Sequence, residues 1–240
     1  MKSQSEEYCL FCDIENKKEN RIIYENKLFY ARWDNFPLDK GHLEVVPKRH
    51  VISFFDLNEK EVIQMFNLLK KLRHFLDERY HPDGYNIGVN DGKAAGRKIH
   101  HLHMHIIPRG KDNPIIPYYK DNTKEKIIIF ENELFYAQWD DFPLDKGHSE
   151  VVLKRHVISF FDLNEKEVIQ MFNLLKKLKH FLDEKYHPDG YNIGVNDGKV
   201  DGRRIRHLYI HIIPRYFSDS KEEPWGTMET LKKGKLFRQF

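Results

Sequence analysis

The chain has 240 residues, enough for one large domain or two of ordinary size, and its 40 basic and 37 acidic side chains leave a formal net charge of +3. Because this charge is small and spread along the chain, the composition argues against strong nucleic-acid binding. No apolar run reaches the length of a membrane span, and the first residues lack the apolar stretch of a signal peptide. We therefore expect a cytoplasmic protein with neither a membrane nor a nucleic-acid partner.

Both cysteines lie near the amino terminus, in Cys9-Leu-Phe-Cys12. In a chain without a secretion signal this spacing favours a metal site or a redox pair over a structural disulfide. Two free thiols near the end of the chain are the alternative, and a single Cys-x-x-Cys does not separate these possibilities.

Residues 28–33 and 42–46 predict two strands, separated by a turn at 37–41. Asn58, with Glu61 three residues later, predicts a capping box that opens a helix. The helix then carries apolar residues at helical spacing on one stripe: Val62, Met65, Phe66, Leu69, Leu72 and Leu76.

The helix is predicted to end at His81-Pro-Asp-Gly84, because proline and glycine interrupt helices. Residues 85–89 predict a further strand, and residues 90–96 form a glycine-bearing loop. Strands in hairpins together with one long helix indicate an α+β domain with an antiparallel sheet.

Residues 98–109 alternate apolar side chains with histidines, which is the period-2 pattern of a strand with one buried face. Leu102, Met104 and Ile106 are expected to face the core. The opposite face then carries His101, His103 and His105. A hydrophobic core does not require three imidazoles. Such a row can hold a metal, or it can present one imidazole as a nucleophile that its neighbours orient.

The sequence also contains a long internal repeat. Residues 22–109 align without a gap with residues 128–215, and about 14 of about 88 aligned positions differ. We therefore predict a first domain at 1–109, a linker or amino-terminal segment of the second copy at 110–126, and a second domain with a carboxy-terminal tail at 127–240. Two copies are too few for a solenoid, so a fused pseudo-dimer is the better interpretation.

The two copies differ at the centre of the histidine row. His103 corresponds to Tyr209, whereas His101 and His105 persist as His207 and His211. A phenol, with a pKa near 10, cannot replace an imidazole, with a pKa near 6.5, as a nucleophile at neutral pH. Both cysteines are also absent from the second copy. One working site in the first half follows, and neutral drift of a redundant copy predicts the same outcome.

The histidine segment resembles the signature of the histidine-triad family of nucleotide hydrolases and transferases, His-φ-His-φ-His-φ-φ with φ apolar, at every position from 101 to 107. Other blocks are similar to the family's as well: Gly41-His42, Pro47-Lys-Arg-His50, Phe55-Asp56-Leu57 and residues 90–96. The ending Ile106-Ile-Pro-Arg109 resembles the dinucleoside-polyphosphate hydrolase branch, whereas the phosphoramidase branch usually ends in Gly-Gly-Arg.

The resemblance implies two tandem domains, each with an antiparallel sheet of about five strands and one long helix, packed as an intramolecular pseudo-dimer. Family members of single-domain size are usually homodimers, so we expect the two halves to make that contact within one monomeric chain. The implied substrate is a dinucleoside polyphosphate or a related nucleotide.

Carried over by position, the resemblance makes His103 the nucleophile that attacks the α-phosphorus and forms a covalent nucleotidyl-histidine, which water then hydrolyses. His105 would bind phosphate and assist the leaving group, and His42 would complete the imidazole cluster. Asp34 would hold the ribose hydroxyls, and Arg32 would border the base.

Asn90 would meet phosphate oxygens. One departure concerns the two residues before the triad strand, where the family usually carries Gln followed by Ser or Thr and this chain has Arg97-Lys98. Two cations there strengthen polyphosphate binding, alter the leaving-group preference, or point to solvent. We count Arg97 among the predicted substrate-binding residues.

Some family members bind a structural zinc ion through two cysteines, the histidine of the Pro-Lys-x-His block and the first triad histidine. The corresponding residues here are Cys9, Cys12, His50 and His101. Two thiolates and two imidazoles make a closed tetrahedral site, which is structural and leaves no position for water. The covalent chemistry itself requires no metal.

The sequence leaves open three alternatives to a nucleotide hydrolase. The first is a nucleoside phosphoramidase or nucleotidyl transferase that uses the same nucleophile. The second is a metallohydrolase whose triad holds a catalytic metal. The third is a nucleotide-binding regulatory protein with vestigial activity, which the altered second half favours.

Overall fold

A computed structural model describes residues 8–16, 18–110, 127–198 and 206–217. The predicted linker, from residue 111 onwards, and the carboxy-terminal tail after residue 217 lie outside the described residues. Each half contributes five strands and one long helix, which confirms the α+β class.

The first half has the strands β1 (Ile22–Glu25), β2 (Phe29–Trp33), β3 (Leu43–Pro47), β4 (Gly84–Asp91) and β5 (Met104–Arg109), with helix α1 (Glu59–Tyr80) between β3 and β4. The second half repeats them as β6 (Ile128–Glu131), β7 (Phe135–Trp139), β8 (Ser149–Leu153), β9 (Gly190–Gly198) and β10 (Tyr209–Arg215), with helix α2 (Glu165–Tyr186) between β8 and β9. A short 3₁₀ turn precedes each helix, at Phe54–Asp56 and at Phe160–Asp162.

Helix α1 begins and ends where the sequence predicts. The Asn58 side chain accepts a hydrogen bond from the backbone N–H of Glu61, and the Glu61 carboxylate accepts one from the backbone N–H of Asn58. The helix ends at His81, which adopts the left-handed conformation with φ of 47°. Gly41 lies against the last turn, where a Cβ atom would come within 2.9 Å of the Tyr80 ring, so only glycine fits this turn between β2 and β3.

The ten strands form one antiparallel sheet in the order β1-β2-β3-β5-β4-β9-β10-β8-β7-β6. Strands β4 and β9 join the halves and pair along the whole of Gly84–Asp91. Gly88 pairs with Gly194, its own counterpart in the second half, so a pseudo-twofold axis passes between these two glycines. The predicted intramolecular pseudo-dimer is confirmed, and the sheet is shared rather than divided.

Both helices pack on one face of this sheet, and a single apolar core runs across both halves. Phe54 meets Phe172 edge-on with ring centroids 5.3 Å apart, and Phe66 meets Phe160 at the same distance. Because these aromatic pairs cross the boundary between the repeats, each half buries apolar surface of the other. Among the described residues no helix is long and apolar enough to span a bilayer.

The histidine-rich segment is a shorter strand than the sequence predicts. Strand β5 begins only at Met104, so His101 and His103 lie in the irregular segment that leads into it. The alternation of faces persists, because Leu102 and Met104 are both buried in the core. The physical reason is a competing hydrogen bond: the backbone N–H of Leu102 donates to the carbonyl of Val51 at 2.6 Å and ties this segment to the loop after β3.

Candidate active site

The face of the sheet opposite the helices carries a polar row across three adjacent strands. Arg32 on β2 pairs with Glu44 on β3, and Glu44 pairs in turn with His105 on β5. Directly paired residues point to the same face, so these three side chains stand side by side. His103 lies next to this row, and single side-chain atoms of Glu44, His103 and His105 lie within 4.8 Å of one another.

His42 and His105 form a hydrogen-bonded pair of imidazoles. His42 Nε2 lies 2.9 Å from His105 Nδ1, and Asp34 Oδ2 lies 3.4 Å from the first nitrogen and 3.6 Å from the second. His42 Nδ1 accepts a hydrogen bond from the backbone N–H of Leu38 at 3.2 Å. The proton of neutral His42 is therefore on Nε2 and is donated to His105.

These imidazoles are neutral at pH 7. Burial lowers the pKa of His42 to about 4, against the opposing effect of the Asp34 carboxylate. Burial also lowers the pKa of His105 well below its ordinary value, and the neighbouring His103 and His42 add to the effect. With Nδ1 accepting from His42, neutral His105 carries its own proton on Nε2.

His103 is fixed in orientation by its own backbone. Its Nδ1 lies 2.9 Å from the carbonyl oxygen of His101, so Nδ1–H donates to that oxygen and Nε2 keeps its lone pair. Phe11 packs edge-on against the ring at 5.3 Å. Burial lowers the pKa of His103. A neutral imidazole with a fixed ring and an unprotonated Nε2 is suited to nucleophilic attack.

The second half keeps the imidazole pair and has a tyrosine in place of His103. His148 Nε2 lies 3.0 Å from His211 Nδ1, and Asp140 Oδ2 lies 3.3 Å from the first and 3.5 Å from the second of these nitrogens. Tyr209 takes the place of His103 and packs edge-on against His211 with ring centroids 5.0 Å apart. The pair itself therefore belongs to both halves, and only the first half places a third imidazole beside it.

The two cysteines and two histidines predicted as metal ligands converge. Cys12 Sγ lies 3.2 Å from His50 Nδ1 and 3.5 Å from His101 Nδ1, and Cys9 Sγ lies 3.4 Å from His101 Nδ1. Zinc bonds of about 2.3 Å to sulfur and about 2.0 Å to nitrogen separate tetrahedral donors by about 3.3–3.8 Å, so this donor set fits zinc. His101 Nε2 donates to the carbonyl of Pro47 at 3.0 Å, which leaves Nδ1 to face the sulfurs.

Arg32 lies deep beneath the predicted nucleotide site. Its guanidinium donates from Nη2 to the carbonyl of Glu19 at 2.9 Å and lies 5.0 Å from the centroid of the Phe11 ring. Its Nε lies 3.5 Å from Glu44 Oε2, and both side chains are buried. The structure thus brings Arg32 to the cluster, while its predicted contact with a base stays a prediction.

Arg97 and Lys98 separate in the structure. Arg97 donates to the carbonyl of Ile52 at 2.7 Å, approaches Asp91 at 3.7 Å, and contributes to the lowered pKa of His103 through its charge. Lys98 is exposed and points to solvent. Of the two cations, Arg97 is the one whose charge lowers the pKa of His103.

Asn90 lies on β4, next to the boundary between the halves. Its Oδ1 accepts a hydrogen bond from Asn192 Nδ2 at 2.9 Å. The described contacts of Asn90 therefore include the second half, and its predicted contact with phosphate stays a prediction.

Sequence analysis missed Glu44 and Phe11. Glu44 lies two residues after His42 in a predicted strand, so the period-2 pattern was a sufficient signal that both face the same side. Phe11 lies between the two cysteines, and no sequence pattern indicated that it would reach His103. Its position depends on the long-range approach of the amino-terminal segment to β2 and β3, where its backbone carbonyl accepts a hydrogen bond from Tyr30 at 2.8 Å.

A family model described as the HIT domain matches the chain twice, over residues 15–112 and 121–218. The chain therefore belongs to the histidine-triad (HIT) family and carries two copies of its domain in tandem. The resemblance seen in the sequence is confirmed at this level.

Two relatives and one solved structure illustrate the range of similarity. A 16.1 kDa HIT-like protein of Mycoplasma pneumoniae is 32% identical over 139 residues, which cover 58% of this chain and 96% of that protein. The bis(5'-adenosyl)-triphosphatase of Saccharomyces cerevisiae is 35% identical over 96 residues, which cover 40% of this chain and 47% of that protein. An ADP-glucose phosphorylase of Arabidopsis thaliana, solved with bound ADP-glucose, superposes with a TM-score of 0.70 over 97% of this chain and 90% of its own, at 14% identity, which supports the fold alone.

Proposed function

We propose that the protein is an enzyme that cleaves a nucleotide at its α-phosphate through a covalent nucleotidyl-histidine on His103. The observation that carries this proposal is the state of His103: a buried neutral imidazole whose Nδ1 is held by a backbone carbonyl and whose Nε2 is unprotonated. The yeast relative is called a bis(5'-adenosyl)-triphosphatase, which favours a dinucleoside polyphosphate as the substrate.

The proposed reaction has two displacements. His103 Nε2 attacks the α-phosphorus, and the bond from phosphorus to the leaving group breaks while His105 Nε2–H donates a proton to the departing atom. Water then attacks the same phosphorus and releases the nucleoside monophosphate, which restores His103. Asp34 would hold the ribose, Arg32 would border the base, and Asn90 and Arg97 would meet phosphate oxygens.

We further propose that Cys9, Cys12, His50 and His101 hold a structural zinc ion. The ion would supply a cross-link and no reactive position, because all four of its tetrahedral sites would be filled by protein. That cross-link fixes the amino-terminal segment to the end of β3 and to the approach to β5. It would thereby hold Phe11 against His103.

Replacing the nucleophile tests the proposal directly. We expect His103→Ala to lose at least about 1,000-fold in turnover, because no other group can form the adduct, while the matched variant Tyr209→Phe keeps wild-type turnover. The substrate panel is a diadenosine polyphosphate, an adenosine phosphoramidate and a nucleotide sugar. Substrate labelled at the α-phosphate should leave an acid-labile label on wild type, mapped to residue 103 by mass spectrometry.

Several outcomes would contradict this assignment. An adduct on another side chain, or full turnover by His103→Ala, would exclude the covalent mechanism. Tight binding of all three nucleotides without product would favour a regulatory protein. Loss of turnover on chelation, with intact fold and no adduct, would favour a metallohydrolase.

We also propose that the chain acts as a monomer. Strands β4 and β9 already supply within one chain the sheet contact that single-domain relatives would make between subunits. A solution mass equal to one chain would agree with this proposal, and a mass of two or more chains at low concentration would contradict it.

A further inference from the structure

The imidazole pair beside His103 has one proton fewer than the departure of a basic leaving group needs. His42 donates its Nε2 proton to His105 Nδ1, and His42 Nδ1 already accepts from the backbone N–H of Leu38. When His105 gives its Nε2 proton to a leaving group, its hydrogen-bond donor His42 is placed to replace that proton at Nδ1. His42 would then hold no proton on either nitrogen, and a free imidazolate is far too basic to persist at neutral pH. A further acid must therefore lie within reach of His42.

The structure contains such a group in the polar row. Asp34 Oδ2 lies 3.4 Å from His42 Nε2 and 3.6 Å from His105 Nδ1, a carboxyl oxygen of Glu44 lies within 4.8 Å of a His105 ring nitrogen, and Asp34 helps to raise the pKa of Glu44. Glu44 is also the cross-strand partner of His105. A buried carboxyl group beside a second one loses its proton less readily, so Glu44 holds a proton that the imidazoles lack.

We propose that Glu44 stores the proton for the leaving group and acts through His105, a role that rests on the proposed function. As His103 Nε2 bonds to phosphorus and the bond to the leaving group breaks, His105 gives its Nε2 proton to the leaving atom and His42 passes its Nε2 proton to His105 Nδ1. The vacated Nε2 of His42 then takes a proton from Asp34, and Asp34 takes one from Glu44. One proton thus moves from Glu44 to the leaving group, and the attacking water of the second displacement returns one along the same path.

The electrostatic surroundings of Glu44 agree with this role. Burial raises the pKa of Glu44 to about 8, the Asp34 charge adds to the rise, and Arg32 opposes it. The charged or titratable groups that face Glu44 are Tyr30, Arg32 and Asp34 from β2 and its following turn, and His103 and His105 from β5 and its approach. Glu44 is accordingly protonated at pH 7 and loses its proton as the pH rises through about 8.

The second half supplies a matched control. Glu150 pairs across the strands with His211, as Glu44 does with His105. Gln138 replaces Arg32 there and donates from Nε2 to Glu150 Oε2 at 3.0 Å. Because Tyr209 stands in the place of the nucleophile, a change at Glu150 alters a similar carboxyl group where no reaction takes place.

The proposed role of Glu44 can be measured by comparing substrates whose leaving groups differ in basicity. A nitrophenolate departs as an anion without a proton. An amine or an alcohol departs only when its leaving nitrogen or oxygen receives a proton. Proton storage by Glu44 therefore matters in proportion to the basicity of the leaving group. Loss of the fold or of nucleotide binding would lower turnover of every leaving group alike.

The experiment compares wild type, Glu44→Gln and Glu150→Gln on two probes, the 4-nitrophenyl ester of AMP and adenosine phosphoramidate. For Glu44→Gln we expect a loss of less than about threefold on the ester and about 100-fold on the phosphoramidate. Wild-type kcat on the phosphoramidate should fall as the pH rises through about 8, and this decline should be absent from Glu44→Gln. Glu150→Gln should match wild type on both probes.

A second variant keeps the inference testable if Glu44→Gln does not fold. Arg32→Gln introduces the side chain that the second half carries at this position and removes the charge that lowers the pKa of Glu44. The alkaline decline should then move to higher pH.

Equal losses on both probes, or a decline at unchanged pH in Arg32→Gln, would overturn the inference. Failure of the proposed function looks different, since wild type would then form no adduct and turn over neither probe.

Discussion

The two halves of the chain differ in about 14 of about 88 aligned positions, yet only one has the residues that the proposed chemistry needs. The helix-facing side of the sheet is almost the same in both, with identical capping boxes at Asn58 and Asn164. The polar face differs at two positions of the proposed site, where Gln138 and Tyr209 replace Arg32 and His103. The comparison teaches that one fold tolerates both sets of side chains, because the core that stabilises it lies on the other face.

The imidazole pair is a feature that both halves share. His42 with His105, and His148 with His211, are hydrogen-bonded with nearly the same geometry. A pair that persists beside a tyrosine is by itself no sign of activity. What distinguishes the first half is the surroundings of the pair, namely the third imidazole of His103 and the cysteine-bearing segment that packs against it.

The largest effect on zinc content and stability is expected at the proposed metal ligands of the first half. His50→Ala should reduce bound zinc from about one ion per chain to none and lower the melting temperature by about 10 °C, since metal binding adds to folding free energy. The matched variant is His156→Ala, whose Nε2 lies 2.9 Å from the carbonyl oxygen of Arg206 rather than near a thiol. It should leave the zinc content unchanged. Metal analysis and thermal melts check both, and a wild type without zinc would contradict the metal site.

A smaller effect is expected at the boundary between the two halves, where β4 pairs with β9. A Cβ atom on Gly84 would lie 2.4 Å from the backbone carbonyl of Asp197 on β9, so Gly84→Ala must move two paired strands apart. We expect a loss of about 1–3 kcal/mol in the free energy of unfolding. Gly110→Ala is the control, because no atom of the described residues lies within 4 Å of a Cβ atom there. Urea denaturation measures both, and equal stability of the two variants would show that the β4–β9 contact tolerates a side chain.

The smallest effect concerns pH. The folded state lowers the pKa of His42 to about 4, mainly through burial, whereas an unfolded chain titrates this histidine near 6.5. Between these values the unfolded chain binds more protons, so stability is complete above about pH 6.5 and falls as the pH falls towards 4. The slope is at most about 1.4 kcal/mol per pH unit for each histidine.

Denaturation midpoints at pH 7, 6 and 5 check this dependence. His42→Gln should show a shallower decline than wild type. His74→Gln, at an exposed position on α1, should decline as wild type does. Parallel curves for wild type and His42→Gln would contradict the assignment of part of the decline to His42.

The sequence predicted the local elements well, because their signals are local. The Asn58–Glu61 capping box, the apolar stripe of α1 and the end of the helix at His81 all depend on residues a few positions apart. The sequence pattern placed the start of β5 too early. The hydrogen bond from the backbone N–H of Leu102 to the carbonyl of Val51 keeps this segment out of the strand, and it joins residues about fifty positions apart along the chain. No period in the sequence encodes that contact.

By itself, then, the sequence determined the duplication, the α+β class, the family and the positions of the histidines, because repeats, periodicity and spacing are properties of the chain in one dimension. Only the tertiary structure decided that the halves share one sheet, that Phe11 reaches His103, and that Glu44 stands between Arg32 and His105. The physical reason is that strand register and the burial it produces set which polar groups meet and which of them keep their protons.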